Sequence, residues 1–322
     1  MDEKARIELV LAAVQAAGAR ISGEAVVLGP GDDAALLRPP PGHELVWSSD
    51  EQVEDSHFRR SWSEWAGFAG FGTKAAGASL SDLAAMGAEP LGALLSLRLP
   101  PDLPAGALEE IARGVGEQLA AAGCPLVGGN LAQDPRGLGL TLDVLGHVPA
   151  GRAWRRAGAQ AGDRLFVSGP LGLARLGLTY LEQGGDPGDP AWEAPLAALI
   201  RPRPRLALAR RLQQAAVRPR AALDLSDGLA RDLPRLALAS GLRAEIRSAD
   251  LPAPPAMLCA QLGVDPARCA LLGGEDYQLL LAGPAELAGD ELVDVGALVE
   301  GEPGEVLVDS KPLSIKGFDH FA

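Results

Sequence analysis

The chain has 322 residues, 47% hydrophobic and 22% charged, enough to bury a sizeable core and to form two domains rather than one. Its formal net charge of -13 disfavours nonspecific binding to nucleic acid or to an anionic membrane, so any phosphate chemistry needs metal ions as partners. The start "MDEKARIELV" and the lack of an apolar run long enough to span a bilayer predict a cytoplasmic protein. Cys124, Cys259 and Cys269, without CxxC spacing, are expected to be reduced core thiols.

Ile7, Val10, Leu11 and Val14 recur at helical spacing before Gly18, which predicts an amphipathic first helix with a glycine stop. The stretch "LGPGDDAALL", residues 28–37, then sets Gly29 and Gly31 after the apolar Val26, Val27 and Leu28. This imitates a dinucleotide-binding turn, but Asp32 and Asp33 stand where phosphate oxygens would sit, and Pro39, Pro40 and Pro41 exclude the helix such a turn requires. Two readings remain for it, an acidic surface turn and a magnesium site. Further on, "ELVWSSD" and "LGALLSLRLP" predict strands, "LEEIARGVGEQLAAAG" a helix from soon after Pro104 to near Gly123, and "LGLTLDVLGHV" a half-buried strand. A domain boundary is expected near residue 150. Beyond it, "RLFVSG" and "AALDL" read as strands, "RLALARRLQQAA" as a helix, and "CALLGGEDYQLLLAG" as strand material. "QGGDPGDPA" at 183–191 reads as a surface loop. The mixture of elements is an α/β (α+β) pattern with domains at 1–149 and 150–322.

Aspartates recur at the ends of short apolar runs beside small residues. "WSSDEQVEDSHF" carries Ser48, Ser49, Asp50 and His57, "ASLSDLAAMGAEP" carries Asp82, "ALDLSDGLARDL" carries Asp224, Ser226 and Asp227, and "LLGGEDYQLL" carries Glu275 and Asp276. Hard oxygen ligands of this kind suit Mg²⁺, which takes one or two carboxylates plus water and substrate phosphate. For Asp82 and Asp227 the competing reading is a helix N-cap, for Asp32 and Asp33 a turn, for His57 a structural histidine, and for Glu275 a solvated strand end. No GxxxxGK(S/T) occurs, only four lysines are present, and the kinase signature HRD is absent. Phosphate handling without these parts relies on metals and a few arginines.

Taken in order, "GPGDDAAL", "SSDEQVEDSHF", "KAAGASLSDLAAMGAEP", "LVGGN", "RRAGAQAGD", "LDLSDGL", "GGEDYQLL" and the terminal "GFDHF" resemble the thiamine-monophosphate kinases, from about residue 29 to the C-terminus. The resemblance implies the two-domain fold of the aminoimidazole ribonucleotide synthetases, with mixed sheets backed by helices and N-terminal domains pairing in a homodimer so that their sheets form a barrel. It implies a first domain that binds ATP and Mg²⁺ and dimerises, and a second that completes the nucleotide and substrate cleft. The implied reaction transfers the γ-phosphoryl group of ATP to thiamine monophosphate, giving thiamine diphosphate and ADP. Residue by residue, it implies metal contacts at Asp32, Asp33, Ser49, Asp50, Asp82, Asn130, Asp224 and Asp227, with Asp50, Asp82 and Asp227 the catalytic ones. Ser48, Ser49, Arg156 and Ser226 fall at nucleotide positions, and His57, Glu275 and Phe318 at substrate positions. The attacking group is a substrate phosphate oxygen, already anionic, so positioning and charge neutralisation are enough.

Two positions depart from the family pattern. Asn130 in "GGNLAQDP" stands where the family has a magnesium aspartate, and Ser79 stands where an asparagine is usual before "LSD". Asp134, four residues on, offers a second carboxylate in the same loop. The alternatives are another ATP-dependent enzyme of this superfamily and a nucleotide- or thiamine-phosphate-binding protein with impaired catalysis, which Asn130 favours. Within that superfamily, selenophosphate synthetase is expected to carry a reactive Cys near its N-terminus and the hydrogenase maturation dehydratase a C-terminal Cys, and residues 1–30 and 310–322 contain neither.

Overall fold

The structure is a computed structural model and describes residues 2–313. Its contacts divide the chain into two compact units, Met1–Leu83 with Ala88–Gly151, and Ala84–Gly87 with Arg152–Ala322. Among the described residues no helix is long and apolar enough to cross a membrane.

The first unit opens with α1 (Glu3–Ala16), whose start is capped by Asp2 accepting the Ala5 N–H at 2.9 Å. It buries Val10, Ala13 and Val14, while Ile7 stays 43% exposed, so its apolar residues serve two surfaces rather than one stripe. The short β1 (Val26–Leu28) and β2 (Leu36–Leu37) pair antiparallel around the "GPGDDAA" turn, and no helix follows that turn. Next come β3 (His43–Val53), α2 (Ser63–Ala85), β4 (Glu89–Leu99), α3 (Ala107–Ala122), β5 (Leu126–Gln133) and β6 (Gly139–Pro149). The four long strands form a mixed sheet in the order β3-β6-β4-β5, with only β4 and β5 parallel.

Helix α2 is the element that periodicity does not reveal. From Ala66 to Ala85 nearly every side chain is buried, Lys74 included, and a helix enclosed on all sides has no polar stripe to mark its period. Gly67 interrupts it with a left-handed φ of 66°, and the helix restarts at Phe68, whose N–H donates to the Glu110 carboxylate of α3 at 3.0 Å. The two helices touch backbone to backbone. A Cβ on Gly72 would stand 2.1 Å from the Ile111 carbonyl oxygen, and one on Gly114 would stand 1.9 Å from that of Ala69. Ser79 Oγ donates to the Leu142 carbonyl of β6 at 3.2 Å, which fixes α2 over one face of the sheet. Leu140, Leu142, Val144 and Val148 are fully buried on that face.

The second unit contains β7 (Arg164–Val167), α4 (Leu173–Glu182), α5 (Glu193–Ile200), α6 (Leu206–Gln214), β8 (Ala221–Leu225), α7 (Leu229–Ala239), β9 (Arg243–Ile246), α8 (Ala256–Gln261), α9 (Pro266–Leu272), β10 (Gln278–Gly283), β11 (Val293–Val299), β12 (Val306–Val308) and β13 (Lys311–Pro312). Its seven-stranded sheet runs β13-β12-β9-β11-β7-β10-β8, antiparallel except for β12 beside β9. Leu165, Val167, Leu223, Leu225, Leu280 and Val295 of the sheet pack with Leu229, Leu233 and Leu236 of α7 in one core. The stretch expected to be strand material from Cys269 onward is helix first: "CALL" ends α9, and only Gln278–Gly283 is strand. Asp265 caps α9 by accepting the Arg268 N–H at 2.7 Å, and Pro266 fills the first helical position, where its missing N–H costs nothing. All three cysteines are buried free thiols, and burial pushes Cys124 up to about 12.

Candidate functional site

In the first unit a cavity of about 760 Å³ opens between the start of α1, the turn at residues 30–35 and one face of the sheet. Asp32, Asp33, Asn130, Asp143, Ser96 and Trp47 are among its lining residues. The turn is stabilised locally, since the Asp33 N–H donates to Asp32 Oδ1 at 2.8 Å, and both carboxylates are exposed. Sheet register explains why the other residues converge. Asn130 of β5 pairs with Ser96 of β4, and Asp143 of β6 pairs directly with Ser49 of β3, so each pair shares a face. Asp143 escaped sequence reasoning because "TLDVLG" reads as an ordinary half-buried strand.

Neighbours along a strand face opposite ways, so Ser48 and Asp50 belong to the other face. There Ser48 Oγ donates to Asp82 Oδ2 across 34 positions of sequence, in a short hydrogen bond. Asp82 lies inside the C-terminal part of α2, which overturns its reading as an N-cap. Asp50 accepts the Glu51 N–H at 3.0 Å. His57 receives the Val53 N–H on Nδ1 at 3.1 Å, an arrangement that puts the ring proton of the neutral imidazole on Nε2 and closes the turn after β3. Asp134 does not reach toward Asn130. Arg136 grips it through Nε at 3.0 Å and through a second nitrogen at 2.9 Å, and Arg98 lies at 3.3 Å. The bonds from Arg136 hold its carboxyl well below the usual range.

In the second unit the "LDLSDGL" segment leaves β8 and turns into α7. Asp224 is the half-buried fourth residue of β8, paired with Leu279 of β10. Gly228 takes the N-cap place with φ 96°, and the Asp227 side chain does not cap. Instead the Asp227 N–H donates to Asp232 Oδ2 at 3.0 Å, and Asp227 Oδ2 pairs with Arg235 at 2.8 Å and Arg231 at 3.7 Å. Both ion pairs use the same oxygen. Asp232 is 2% exposed and is pushed up to about 6, mainly by burial and next by the charge of Asp227, while Arg235 and Arg156 oppose the shift. Arg156 is itself exposed, and its carbonyl accepts the Ser240 hydroxyl at 3.1 Å.

Glu275 comes to the same turn through backbone contacts. Its N–H donates to the Ser226 carbonyl at 2.7 Å, and the Tyr277 N–H donates to that of Leu225 at 2.9 Å. Glu275 and Tyr277 both hold left-handed φ values, 63° and 49°, which cost an L residue roughly 1–2 kcal/mol each. Asp276 between them is buried and accepts the Gly172 N–H at 2.7 Å. The sequence gives no sign of Asp232 and Arg235 because their partners are fixed by tertiary packing, and Asp276, grouped there with the hard oxygen donors, instead accepts the Gly172 N–H. Phe318 lies outside the described residues. Among the described residues no three His, Cys, Asp or Glu side chains gather closely enough to enclose an ion by themselves.

Two family models match, the AIR synthase related protein N-terminal domain over residues 31–148 and the corresponding C-terminal domain over residues 160–300. The chain is 37% identical over 305 residues to the thiamine-monophosphate kinase of Synechococcus elongatus, covering 90% of this chain and 91% of that protein. It superposes on the crystal structure of the thiamine-monophosphate kinase from Stenotrophomonas maltophilia with a TM-score of 0.79 at 32% identity, over 94% of this chain and 96% of the other. A TM-score of 0.81 at 32% identity relates it to AaThiL complexed with AMPPCP and TMP, over 100% of this chain and 99% of the other. The chain belongs to the thiamine-monophosphate kinase family of the AIR synthase-related superfamily.

Proposed function

We propose that the protein transfers the γ-phosphoryl group of ATP to the phosphate of thiamine monophosphate, giving thiamine diphosphate and ADP. The observation that carries this reading is the end-to-end likeness to AaThiL in its complex with AMPPCP and TMP. The donor chemistry supports it. Asp32, Asp33, the Asn130 amide and the Ser49 hydroxyl are hard oxygen donors of the first unit, Asp50 lies on the opposite face of β3 from Ser49, and Asp82 lies on helix α2, where it accepts the Ser48 hydroxyl. Asp224 and Asp227 supply carboxylates in the second. The donors of each unit are of a kind that suits Mg²⁺, which needs only one or two carboxylates when water and phosphate complete its shell. Magnesium, when bound, neutralises charge on the transferring group.

Asp227 offers Oδ1 to a cation because Arg231 and Arg235 both hold Oδ2. Ser48, Ser49, Ser226 and the exposed Arg156 are assigned to the nucleotide, and His57, Glu275 and Phe318 to the thiamine phosphate. With its Nδ1 accepting the Val53 N–H, the neutral His57 ring carries its proton on Nε2, and that N–H is of a kind that suits a phosphate oxygen. The reaction is an in-line displacement. The acceptor phosphate oxygen attacks, the bond from γ-phosphorus to the β-bridging oxygen breaks, and ADP leaves; no side chain has to generate a nucleophile.

Two copies pair through the sheet face that α2 leaves open, where Trp47 is 74% and Leu45 is 54% exposed. A coupled assay of ADP release, with thiamine monophosphate present and then omitted, tests the function. Release that depends on thiamine monophosphate and yields thiamine diphosphate supports it, and release indifferent to the acceptor removes it. Asn130 favours a second reading, a thiamine-phosphate-binding protein without turnover, which saturable binding with no product would select.

A further inference from the structure

Asp276 is a buried carboxylate to which the phosphoryl-transfer reading gives no task. It sits between Glu275 and Tyr277, both left-handed without being glycine, a conformation that persists only where the surroundings over-determine it. Two of the constraints are main-chain bonds to the end of β8, from the Glu275 N–H to Ser226 and from the Tyr277 N–H to Leu225. The third is the Asp276 side chain. It reaches 104 positions back in sequence to accept the Gly172 N–H at 2.7 Å, and the backbone N–H groups of Leu173 and Ala174 favour its charged form.

Those N–H groups start α4, whose N-cap is Gly172, a residue with no side chain of its own to satisfy them. The contact is reinforced by close packing. A Cβ on Gly273 would stand 2.7 Å from Gly172 Cα, and one on Gly172 would stand 2.4 Å from the Cys269 carbonyl oxygen. The "GGEDY" turn is therefore clamped between the end of β8 and the start of α4.

We propose that Asp276 is a positioning residue for the acceptor substrate: by tying the turn to the N-terminus of α4, it holds Glu275 at the place from which Glu275 engages that substrate. The inference rests on the reading of Glu275 as a substrate contact. Ser226 depends less on this tie, because it follows directly on β8, where Leu225 is already paired with Gln278 of β10. Loss of the tie thus falls on thiamine monophosphate more than on ATP.

The test is a double-mutant cycle on the full chain, using Asp276→Ala, Glu275→Ala and the double variant. It is read as the Kd for thiamine monophosphate by calorimetry and as the KM for each substrate. Asp276→Ala is expected to raise the Kd and KM for thiamine monophosphate about tenfold or more, as misplacement of a substrate contact does, while KM for ATP moves less. In the Glu275→Ala background the same substitution should add less than about twofold, because its effect travels through Glu275. Asp276→Asn, whose amide oxygen still accepts an N–H, should recover most of the affinity. Unchanged affinity in Asp276→Ala, its full effect on top of Glu275→Ala, or equal loss for both substrates overturns the proposal. If Asp276→Ala does not fold, Asp276→Ser withdraws the acceptor from Gly172 with a smaller apolar change and is read by the same cycle. A wild-type chain that neither binds nor phosphorylates thiamine monophosphate defeats the parent reading instead.

Discussion

Asp227 gives one oxygen to two guanidinium groups, and in the reading proposed above its other oxygen meets a cation, so a change that preserves its shape but not its charge isolates the electrostatic role. Asp227→Asn is expected to lower kcat on the order of 10²-fold or more, and Asp50→Asn likewise, with folding intact by circular dichroism. A helix-cap role would spare activity, since Asn caps about as well as Asp, but Gly228 already holds that place. At Asn130 the neutral amide attracts Mg²⁺ less than a carboxylate does. Magnesium titrations of activity should show a lower midpoint for Asn130→Asp than for the wild type. Asp134→Ala should leave that midpoint unchanged, because Asp134 is committed to Arg136 and Arg98. Asp276 carries a pH signature of its own. Its folded-state value is pushed from 3.8 to about 8, first by burial and further by the charge of Glu275, against the opposing N–H bonds. A carboxyl raised in the folded state contributes stability that is fully present below the unfolded value and is lost as pH rises through the folded one. Between about pH 4 and about pH 8, unfolding by denaturant should show the wild type losing stability relative to Asp276→Asn. A constant difference across that window would mean that the N–H groups at the start of α4 keep the group ionised throughout.

Helices α2 and α3 illustrate how an element is positioned by what it lacks. Gly72 and Gly114 let two backbones meet, and each contact has a carbonyl oxygen where a Cβ would go. Gly114→Ala should therefore destabilise the protein by roughly 1–3 kcal/mol or more in chemical denaturation, whereas Gly23→Ala, with nothing within 4 Å of the added carbon, should change little. The same pair shows which elements were legible. For α3 the apolar positions follow a helical period and Gly123 marks the end with φ 70°, and its extent was readable from the sequence. For α2 the side chains are small and buried all round, so "FAGFGTKAAGASLSD" carries no face to detect. The local pattern consequently sets Asp82 before a helix, whereas it lies within one. The "DPARCALL" segment did hold a start signal, Asp then Pro, that an apolar run overshadowed.

At the scale of the molecule, the sheet face that α2 leaves open exposes Trp47 and Leu45. Trp47→Asp replaces the exposed apolar side chain proposed to meet its partner with a charge, and it should convert a dimer to a monomer in sedimentation velocity while leaving the thermal unfolding of the unit nearly unchanged. A wild-type chain that sediments as a monomer would remove the pairing. The sequence by itself determined the α/β character of the chain, the inventory of hard oxygen donors and the family, because these depend on residue types and on motifs whose spacing is local. It also singled out Asn130 as a departure from the family pattern. Only the tertiary structure decided what each charged group faces: Ser48 against Asp82, Asp143 beside Ser49, Asp134 locked by Arg98 and Arg136, and Asp276 on the first turn of α4. Those pairings join residues up to 104 positions apart, and strand register and helix packing, which no local pattern encodes, determine which of them meet.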